Sequence, residues 1–191
     1  MPRAVVLDAF GTTVTPVARI GPYHKVLKGA EDFRAARMAA LTLNKTLPEL
    51  AGHLNLGSVG DHVMEELELE VSGIRAFPDT LPFLANLRER KVAVAVCSNL
   101  ASAYGDKVRQ LLKDCQHFIF SYEVGLVKPD AGIYQAVSDV LGVRPDETVF
   151  IGDTSAADVD GPIAFGMKAA LLKRSTGDNL WLALERALGS R

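Results

Sequence analysis

The sequence predicts an α/β fold built on a parallel sheet, and three observations support this class. Short apolar runs alternate with helical patterns over most of the 191 residues. The first run is unbroken and rich in β-branched residues, as expected for a strand buried on both faces of a sheet. One long stretch, residues 13–78, departs from the alternation and carries only helical patterns. We therefore expect a parallel-sheet core with a small helical insertion after the first strand.

Five apolar runs are interpreted as the strands of this sheet, and they occupy residues 4–7, 92–96, 117–120, 148–151 and 167–172. Helical patterns fill the gaps between them, at residues 80–90, 106–113, 131–141 and 180–188. In the first of these helices Leu81, Leu84 and Leu87 are predicted to share one apolar face. Gly142 follows the third helix and is predicted to be its C-cap.

The inserted stretch, residues 13–78, is called the cap segment here, and residues 1–12 and 79–191 are called the core. Three helices are predicted in the cap segment, over residues 29–43, 47–54 and 59–71, and no strand. Thr46 and Glu49 have the spacing of a capping box. Ser58 is predicted to be the N-cap of the next helix, and Gly73 is predicted to end it.

Charge and composition argue against several classes of partner. The chain has 21 Lys and Arg residues against 23 Asp and Glu, a net charge of −2, and no basic run that indicates nucleic-acid binding. Its apolar stretches are much shorter than the roughly 20 residues of a membrane span. Two cysteines without a CxxC motif, and no signal-peptide pattern, predict a cytoplasmic protein with reduced thiols. The sequence does not indicate the oligomeric state.

Polar residues follow four of the predicted strands. Asp8 comes after the first strand, and Ser98 and Asn99 come after the second. Lys128 lies in the loop after the third strand, and Asp153 comes after the fourth. Because ligands bind beyond the carboxyl ends of the strands in open parallel sheets, we expect these side chains to converge at one edge.

The charges of these residues indicate a site for an anionic substrate. Asp8 and Asp153 would repel each other at close range unless a cation lay between them or one held a proton, and Mg²⁺ prefers such oxygen ligands. Lys128 adds a second positive charge, and the Ser98 hydroxyl can donate to the same anion. Asp8 is then a candidate nucleophile. The alternative for Asp153 and Ser98 is helix capping.

Taken together, the motifs resemble those of the haloacid dehalogenase superfamily, and the cap segment resembles its type-1 cap. The resemblance covers essentially the whole chain. Four motifs carry it, namely Asp8-Ala9-Phe10-Gly11-Thr12, Ser98-Asn99, Lys128-Pro129 and Gly152-Asp153-Thr154-Ser155-Ala156-Ala157-Asp158.

The resemblance implies a Rossmann-like three-layer core and a role for each motif. Asp8 would attack the substrate, Ser98 would orient the anion and Lys128 would compensate charge. Thr12 and Asn99 would contribute to substrate binding. In the phosphatases of the superfamily Mg²⁺ is held at the positions that are here Asp8, the backbone carbonyl of Phe10, Asp153 and, less directly, Asp158.

The first motif departs from the phosphatase pattern. Phosphatases of the superfamily normally have an acid/base Asp where this chain has Phe10, which cannot transfer a proton. The form with an aromatic residue resembles the 2-haloacid dehalogenases, whose halide leaving group needs no proton. Tyr134, six residues after Lys128, and Arg34, after an aromatic residue in the cap segment, also fit that branch and would contact substrate there.

The fourth motif favours the other branch. Asp153 and Asp158 give the acidic pattern that is typical of Mg²⁺-dependent phosphatases, whereas dehalogenases work without metal. We therefore expect a hydrolase that forms an aspartyl intermediate on a phosphate ester or acyl phosphate, with Mg²⁺ and with weakened acid/base catalysis. The alternatives are a metal-independent 2-haloacid dehalogenase and a catalytically impaired binding or regulatory homologue.

Overall fold

The computed structural model describes residues 1–189, and within them the strands and helices alternate as expected for an α/β protein. The strands are β1 (Ala4–Leu7), β2 (Val14–Pro16), β3 (Ile74–Ala76), β4 (Ala93–Ser98), β5 (His117–Phe120), β6 (Thr148–Gly152) and β7 (Lys168–Leu171). The α-helices are α1 (Pro22–Leu27), α2 (Phe33–Thr42), α3 (Leu47–His53), α4 (Asp61–Ser72), α5 (Thr80–Glu89), α6 (Ser102–Leu111), α7 (Ser121–Val124), α8 (Ala131–Leu141), α9 (Gly161–Phe165) and α10 (Leu180–Ala187).

Five strands form one parallel sheet in the order β5-β4-β1-β6-β7, which confirms the predicted fold class and its five strands. β1 lies in the middle and is completely buried, which explains its unbroken apolar run. Leu7 pairs with Val96 on one side and with Ile151 on the other. This register brings the carboxyl ends of β1, β4 and β6 close together at one edge.

Both faces of the sheet are covered by helices, so the core has three layers. On one face Val5 and Leu7 belong to an apolar cluster that includes Phe83 of α5. On the other face Val6 packs in a cluster with Tyr134 of α8. In α5 the predicted apolar face is only partly correct, because Leu81 is exposed while Phe83 is buried. Positions 83, 84 and 87 lie closer together around the helix than 81, 84 and 87 do.

The prediction that the cap segment has no strand is wrong. β2 and β3 pair antiparallel with each other at its two ends and stay outside the main sheet. Each has only three residues, too few to show the alternation by which a strand is recognised in a sequence. The helices at 29–43, 47–54 and 59–71 are present as α2, α3 and α4, and α1 precedes them without having been predicted. The domain boundaries at residues 13 and 78 stay a prediction.

The helix ends in the cap segment follow local capping chemistry in two places out of three. Thr46 and Glu49 form the predicted capping box, and Gly73 ends α4 as expected. Ser58 is not an N-cap, because α4 begins at Asp61 with Gly60 before it.

None of the helices in the described part of the chain combines the length and apolar character needed to cross a membrane.

Arg174, which follows β7, binds the chain at both points where it passes between the core and the cap segment. Its Nε and Nη2 donate to the carbonyl oxygen of Thr12 at 3.2 and 2.5 Å. Its Nη1 lies 2.8 Å from the carboxylate of Asp79. The guanidinium also lies over the ring of Phe77, 4.3 Å from its centroid. One partly buried side chain thus connects the two ends of the cap segment.

We expect Arg174→Gln to lower the free energy of unfolding by about 1–3 kcal/mol, because it removes charge-assisted hydrogen bonds to Thr12 and Asp79. Denaturant titration measures this change. Arg90→Gln is the matched control, since Arg90 is exposed, and its effect should stay within about 0.5 kcal/mol. Equal losses in the two variants would contradict this role of Arg174.

Candidate active site

Asp8 lies directly after β1, at the edge where the central strands end. Its backbone N–H donates to the Ile151 carbonyl at 3.0 Å, and its carbonyl accepts from the Thr13 hydroxyl at 2.9 Å. The residue is only 7% exposed. Oδ1 accepts from Ser98 Oγ at 2.9 Å and from Lys128 Nζ at 2.7 Å. Within residues 1–189 no hydrogen bond engages Oδ2, which is therefore available to a substrate.

Lys128 lies between two buried carboxylates. Its Nζ donates to Asp8 Oδ1 at 2.7 Å and to Asp158 Oδ1 at 2.6 Å, and the side chain is almost inaccessible. The Asn99 amide fixes the backbone of this lysine. Asn99 Oδ1 accepts from the Lys128 N–H at 2.8 Å, and Asn99 Nδ2 donates to the Lys128 carbonyl at 2.8 Å. Asn99 thus positions the ammonium group that both carboxylates need.

The chain after β6 supplies two further carboxylates, Asp153 directly after the strand and Asp158 in a π-helical turn, Ser155–Asp160. Asp158 is buried, and its Oδ2 accepts from the Thr154 N–H at 2.9 Å. Asp153 is exposed and accepts from the Thr154 hydroxyl at 3.2 Å. One carboxylate oxygen each of Asp8, Asp153 and Asp158 lie within 4.8 Å of one another. Since these donors are hard oxygens in a tight group, they fit a divalent cation such as Mg²⁺.

Burial, together with an excess of negative charge, shifts the pKa values in this cluster. Burial, together with the nearby Asp158, raises the pKa of Asp8 to about 6 although Lys128 opposes this change. The pKa of Asp153 is raised by partial burial and by Asp158. For Lys128, burial alone would lower the pKa, but the two carboxylates raise it above its ordinary range. Three carboxylates with one ammonium group favour binding of a further cation.

Two glycines leave the space that the carboxylates occupy. Gly11 has a φ of +79°, and a Cβ there would overlap the Asp153 carboxylate. A Cβ on Gly152 would overlap the side chain of Asp158. Glycine at both positions is therefore a geometric requirement of the acidic cluster.

A cavity of about 930 Å³ opens over these groups. It includes most of the residues predicted for the site, namely Asp8, Phe10, Ser98, Asn99, Lys128, Asp153 and Asp158. The Phe10 ring lies at the wall and meets Tyr104 edge-on, with 5.6 Å between the ring centroids. Ser98 donates to Asp8 and is not a helix cap, since α6 begins after Ala101.

Three residues predicted to bind substrate are not among those that line this cavity. Thr12 is fully buried and presents its carbonyl to Arg174. Tyr134 is fully buried, and its hydroxyl donates to the Ala157 carbonyl at 2.7 Å, next to Asp158 in the same helical turn. Arg34 is exposed on α2. The substrate-binding roles of these three residues stay predictions.

Other cavity residues were not predicted from the sequence. Arg19, Arg37 and Glu70 come from the cap segment, and Tyr104 comes from α6. Arg37 lies one turn from Arg34, and only Arg34 was predicted, because it directly follows an aromatic residue. Arg19 lies outside any helix, and no local pattern marks it as a site residue.

Comparisons with known proteins find a matching family model, related sequences and structures of similar fold. A family model described as haloacid dehalogenase-like hydrolase matches residues 2–166. The chain is 33% identical over 106 residues to a glyceraldehyde 3-phosphate phosphatase of Methanopyrus kandleri, covering 53% of this chain and 45% of that one. It is 30% identical over 107 residues to an (S)-2-haloacid dehalogenase of Burkholderia cepacia, again covering 53% and 45%. The aligned part of the chain thus spans less than half the length of either relative.

A solved structure of similar fold belongs to a haloacid dehalogenase-family enzyme from Bacteroides thetaiotaomicron, in complex with magnesium and inorganic phosphate. The likeness covers 91% of this chain and 95% of that one, with a TM-score of 0.66 and 18% identity. At this identity the comparison establishes the fold.

We expect Lys128→Met to lower the free energy of unfolding by about 3–5 kcal/mol, because it leaves Asp8 and Asp158 buried without their common counter-charge. In the double variant Lys128→Met/Asp158→Asn the loss should be smaller than the sum of the two single losses. Denaturant titration of all four proteins measures this coupling. Lys113→Met, at an exposed lysine, is the control and should leave stability nearly unchanged. Strict additivity would contradict the described ion-pair triad.

Proposed function

The chain belongs to the haloacid dehalogenase-like hydrolases, and from this premise we propose that it is a Mg²⁺-dependent phosphatase-like enzyme acting on a small anionic substrate. The observation that carries the proposal is the charge of the site. Asp8, Asp153 and Asp158 lie within reach of one ion, and Lys128 is the one ammonium group that contacts them in the described residues. A dehalogenase that works without metal has no need for the carboxylate of Asp153.

The residues that would hold Mg²⁺ are Asp8, the backbone carbonyl of Phe10 and Asp153, with Asp158 behind them. When bound, the ion supplies positive charge that lets Asp8 and a phosphate group approach each other. The Bacteroides thetaiotaomicron enzyme with magnesium and inorganic phosphate supports this choice of ion.

The reaction proposed for the chain's own residues has two displacements. Asp8 Oδ2 attacks the phosphorus atom, a bond forms between them, and the bond from phosphorus to the leaving oxygen breaks with its electron pair on that oxygen. Ser98 and Lys128 hold Asp8 Oδ1 during this step. A water molecule then attacks the phosphorus of the aspartyl phosphate, which releases inorganic phosphate and the carboxylate of Asp8, while the water's proton passes to solvent.

Phe10 restricts which substrates this chemistry suits. The ring lines the cavity and cannot give a proton to the leaving oxygen or take one from water. Proton transfer by a positioned side chain contributes about 10² to 10⁴ in rate. Acyl and aryl phosphates, whose leaving groups are weak bases, should therefore react much faster than sugar phosphates.

Hydrolysis of 2-haloacids is the second candidate, and Phe10 at the cavity wall favours it. Halide leaves without a proton, so an aromatic residue at this position does not lower the rate of that reaction. The dehalogenase of Burkholderia cepacia among the relatives supports keeping this candidate. Release of chloride from 2-chloropropionate, unchanged by EDTA, would identify it.

We expect Mg²⁺-dependent release of phosphate from acetyl phosphate, at a kcat/KM at least about 100-fold above that for glucose 6-phosphate, because Phe10 provides no acid/base help. A colorimetric phosphate assay measures both rates. EDTA and Asp8→Asn should each abolish the release. Equal rates on the two substrates, or release that survives Asp8→Asn, would contradict the proposal.

We expect Gly11→Ala to weaken Mg²⁺ binding by at least about 10-fold, because its methyl group would displace the Asp153 carboxylate. Gly57→Ala is a closely matched control. Gly57 also has a φ of +79°, but a Cβ there meets nothing within 4 Å. Both variants place a Cβ at the same positive φ, so calorimetric titration with Mg²⁺ compares a position that contacts Asp153 with one that contacts nothing. Equal affinities in the two variants would exclude Asp153 as a ligand.

A further inference from the structure

We propose that Arg174 is a positioning residue of the acidic site and that it sets the preference of this site for Mg²⁺ over the larger Ca²⁺. The inference rests on the proposed function, because it takes Asp8, Asp153 and Asp158 as the place where a divalent cation binds. Arg174 acts on these carboxylates indirectly, through its hydrogen bonds to the Thr12 carbonyl in the turn after β1.

The turn after β1 is closed by its own hydrogen bonds. The backbone N–H groups of Thr13 and Val14 both donate to the Ala9 carbonyl, at 2.8 and 2.9 Å. The Gly11 N–H donates to the Val14 carbonyl at 2.9 Å. The turn therefore keeps its shape as a unit, and contacts from outside the turn decide where it lies relative to the other parts of the site.

The position of this turn controls the space that is left for Asp153. Gly11 lies so close to the Asp153 carboxylate that a Cβ on this glycine would overlap Oδ2. The turn also carries the Phe10 carbonyl, which is one of the proposed metal ligands. A shift of the turn toward or away from Asp153 therefore changes the distance between two proposed ligands, the Phe10 carbonyl and the Asp153 carboxylate.

Arg174 holds the turn from the segment that follows β7. In the sheet β6 lies between β1 and β7, so the Arg174 side chain reaches past the end of β6 to the turn after β1. The backbone just before Arg174 is itself attached to β6, because the Leu172 N–H donates to the Gly152 carbonyl at 2.7 Å. Gly152 directly precedes Asp153. Arg174 thus connects the turn to the same strand that carries Asp153.

The contacts of the guanidinium group suit this role. Nε and Nη2 both donate to the Thr12 carbonyl, and Nη1 pairs with Asp79 at 2.8 Å. Asp79 Oδ2 also accepts from the Leu180 N–H at 2.8 Å, which fixes this carboxylate, and the Phe77 ring lies against the guanidinium. Because the guanidinium is planar and its partners are fixed, it holds the Thr12 carbonyl more firmly than a single hydrogen bond does.

Mg²⁺ and Ca²⁺ differ in how strictly they require a fixed ligand geometry. Mg²⁺ needs near-ideal octahedral coordination at about 2.0–2.1 Å, whereas Ca²⁺ accepts variable geometry at about 2.3–2.6 Å. A loosened turn therefore weakens the binding of Mg²⁺ more than the binding of Ca²⁺. A loss of stability alone does not separate the two ions, because the folded protein presents the same ligands to both. The ratio of the two affinities is thus a measure of positioning.

Calorimetric titration of the full chain with Mg²⁺ and with Ca²⁺ tests the inference. We expect Arg174→Gln to weaken Mg²⁺ binding by at least about 10-fold and to change Ca²⁺ binding by less than about 3-fold. Arg186→Gln is the matched control. The Arg186 guanidinium also pairs with a carboxylate, that of Asp178, and donates to a backbone carbonyl, that of Leu171, but neither partner belongs to the turn after β1. This variant should keep the wild-type affinity for both ions.

Arg174→Lys is a second variant, for the case that Arg174→Gln does not fold. It keeps a positive charge beside Asp79 but has no planar group that can give two hydrogen bonds to the Thr12 carbonyl, so it should also lower the preference for Mg²⁺. Circular dichroism establishes that each titrated variant is folded.

An unchanged ratio of Mg²⁺ to Ca²⁺ affinity in the folded Arg174 variants, or an equal fall in Arg186→Gln, would overturn the inference while the proposed function stands. If the ratio falls as expected but the wild type releases no phosphate from acetyl phosphate, the proposed function fails and the inference stands. If the wild type binds neither ion, both fail.

Discussion

The buried contact of Lys128 with Asp8 and Asp158 is the constraint on which the site depends. An ammonium group in this position is stable only with carboxylates beside it, and the carboxylates are tolerated there only with the ammonium. The groups around the triad hold its members in place. Asn99 fixes the lysine backbone, and the Thr154 N–H fixes Asp158. Asp8, the proposed nucleophile, is therefore held in one orientation without a bound substrate.

The parallel sheet makes this contact possible between residues that are far apart in the sequence. Asp8 and Lys128 are 120 positions apart, yet both follow strands that end at the same edge. β1 is central and pairs with β4, which ends at Ser98, and with β6, after which the chain carries Asp153 and Asp158. An antiparallel arrangement would send half of these residues to the opposite edge. The direction of the strands therefore decides which residues come together at the site.

The chain combines features of two branches of the haloacid dehalogenase-like hydrolases. The two features concern the charge of the site and its ability to transfer a proton. Asp153 adds a negative charge that favours the binding of a cation. Phe10 removes the group that would move a proton. The two changes are compatible when the leaving group is a weak base, since such a substrate still needs positive charge around its phosphate but needs no acid. The cap segment contributes Arg19 and Arg37 to the cavity wall. This side of the cavity therefore carries positive charge, whereas the core side carries the acidic cluster.

The sequence by itself determined the α/β class and the five core strands, because a buried strand is visible as a short apolar run. It also determined the motif residues, because polar residues directly after such runs are a local pattern. These residues are Asp8, Ser98, Lys128, Asp153 and Asp158. It could not determine which exposed charges face the cavity. Arg34 and Arg37 have the same residue type and helix, and only the packing of α2 against its neighbours separates them. β2 and β3 could likewise not be predicted, since strands of three residues are too short to show an alternation of apolar and polar side chains. Their pairing also joins positions that are about 60 residues apart. Only the tertiary structure shows that the Tyr134 hydroxyl binds the Ala157 carbonyl next to Asp158 and that the Thr12 carbonyl binds Arg174, because these partners are brought together by the fold and not by sequence proximity.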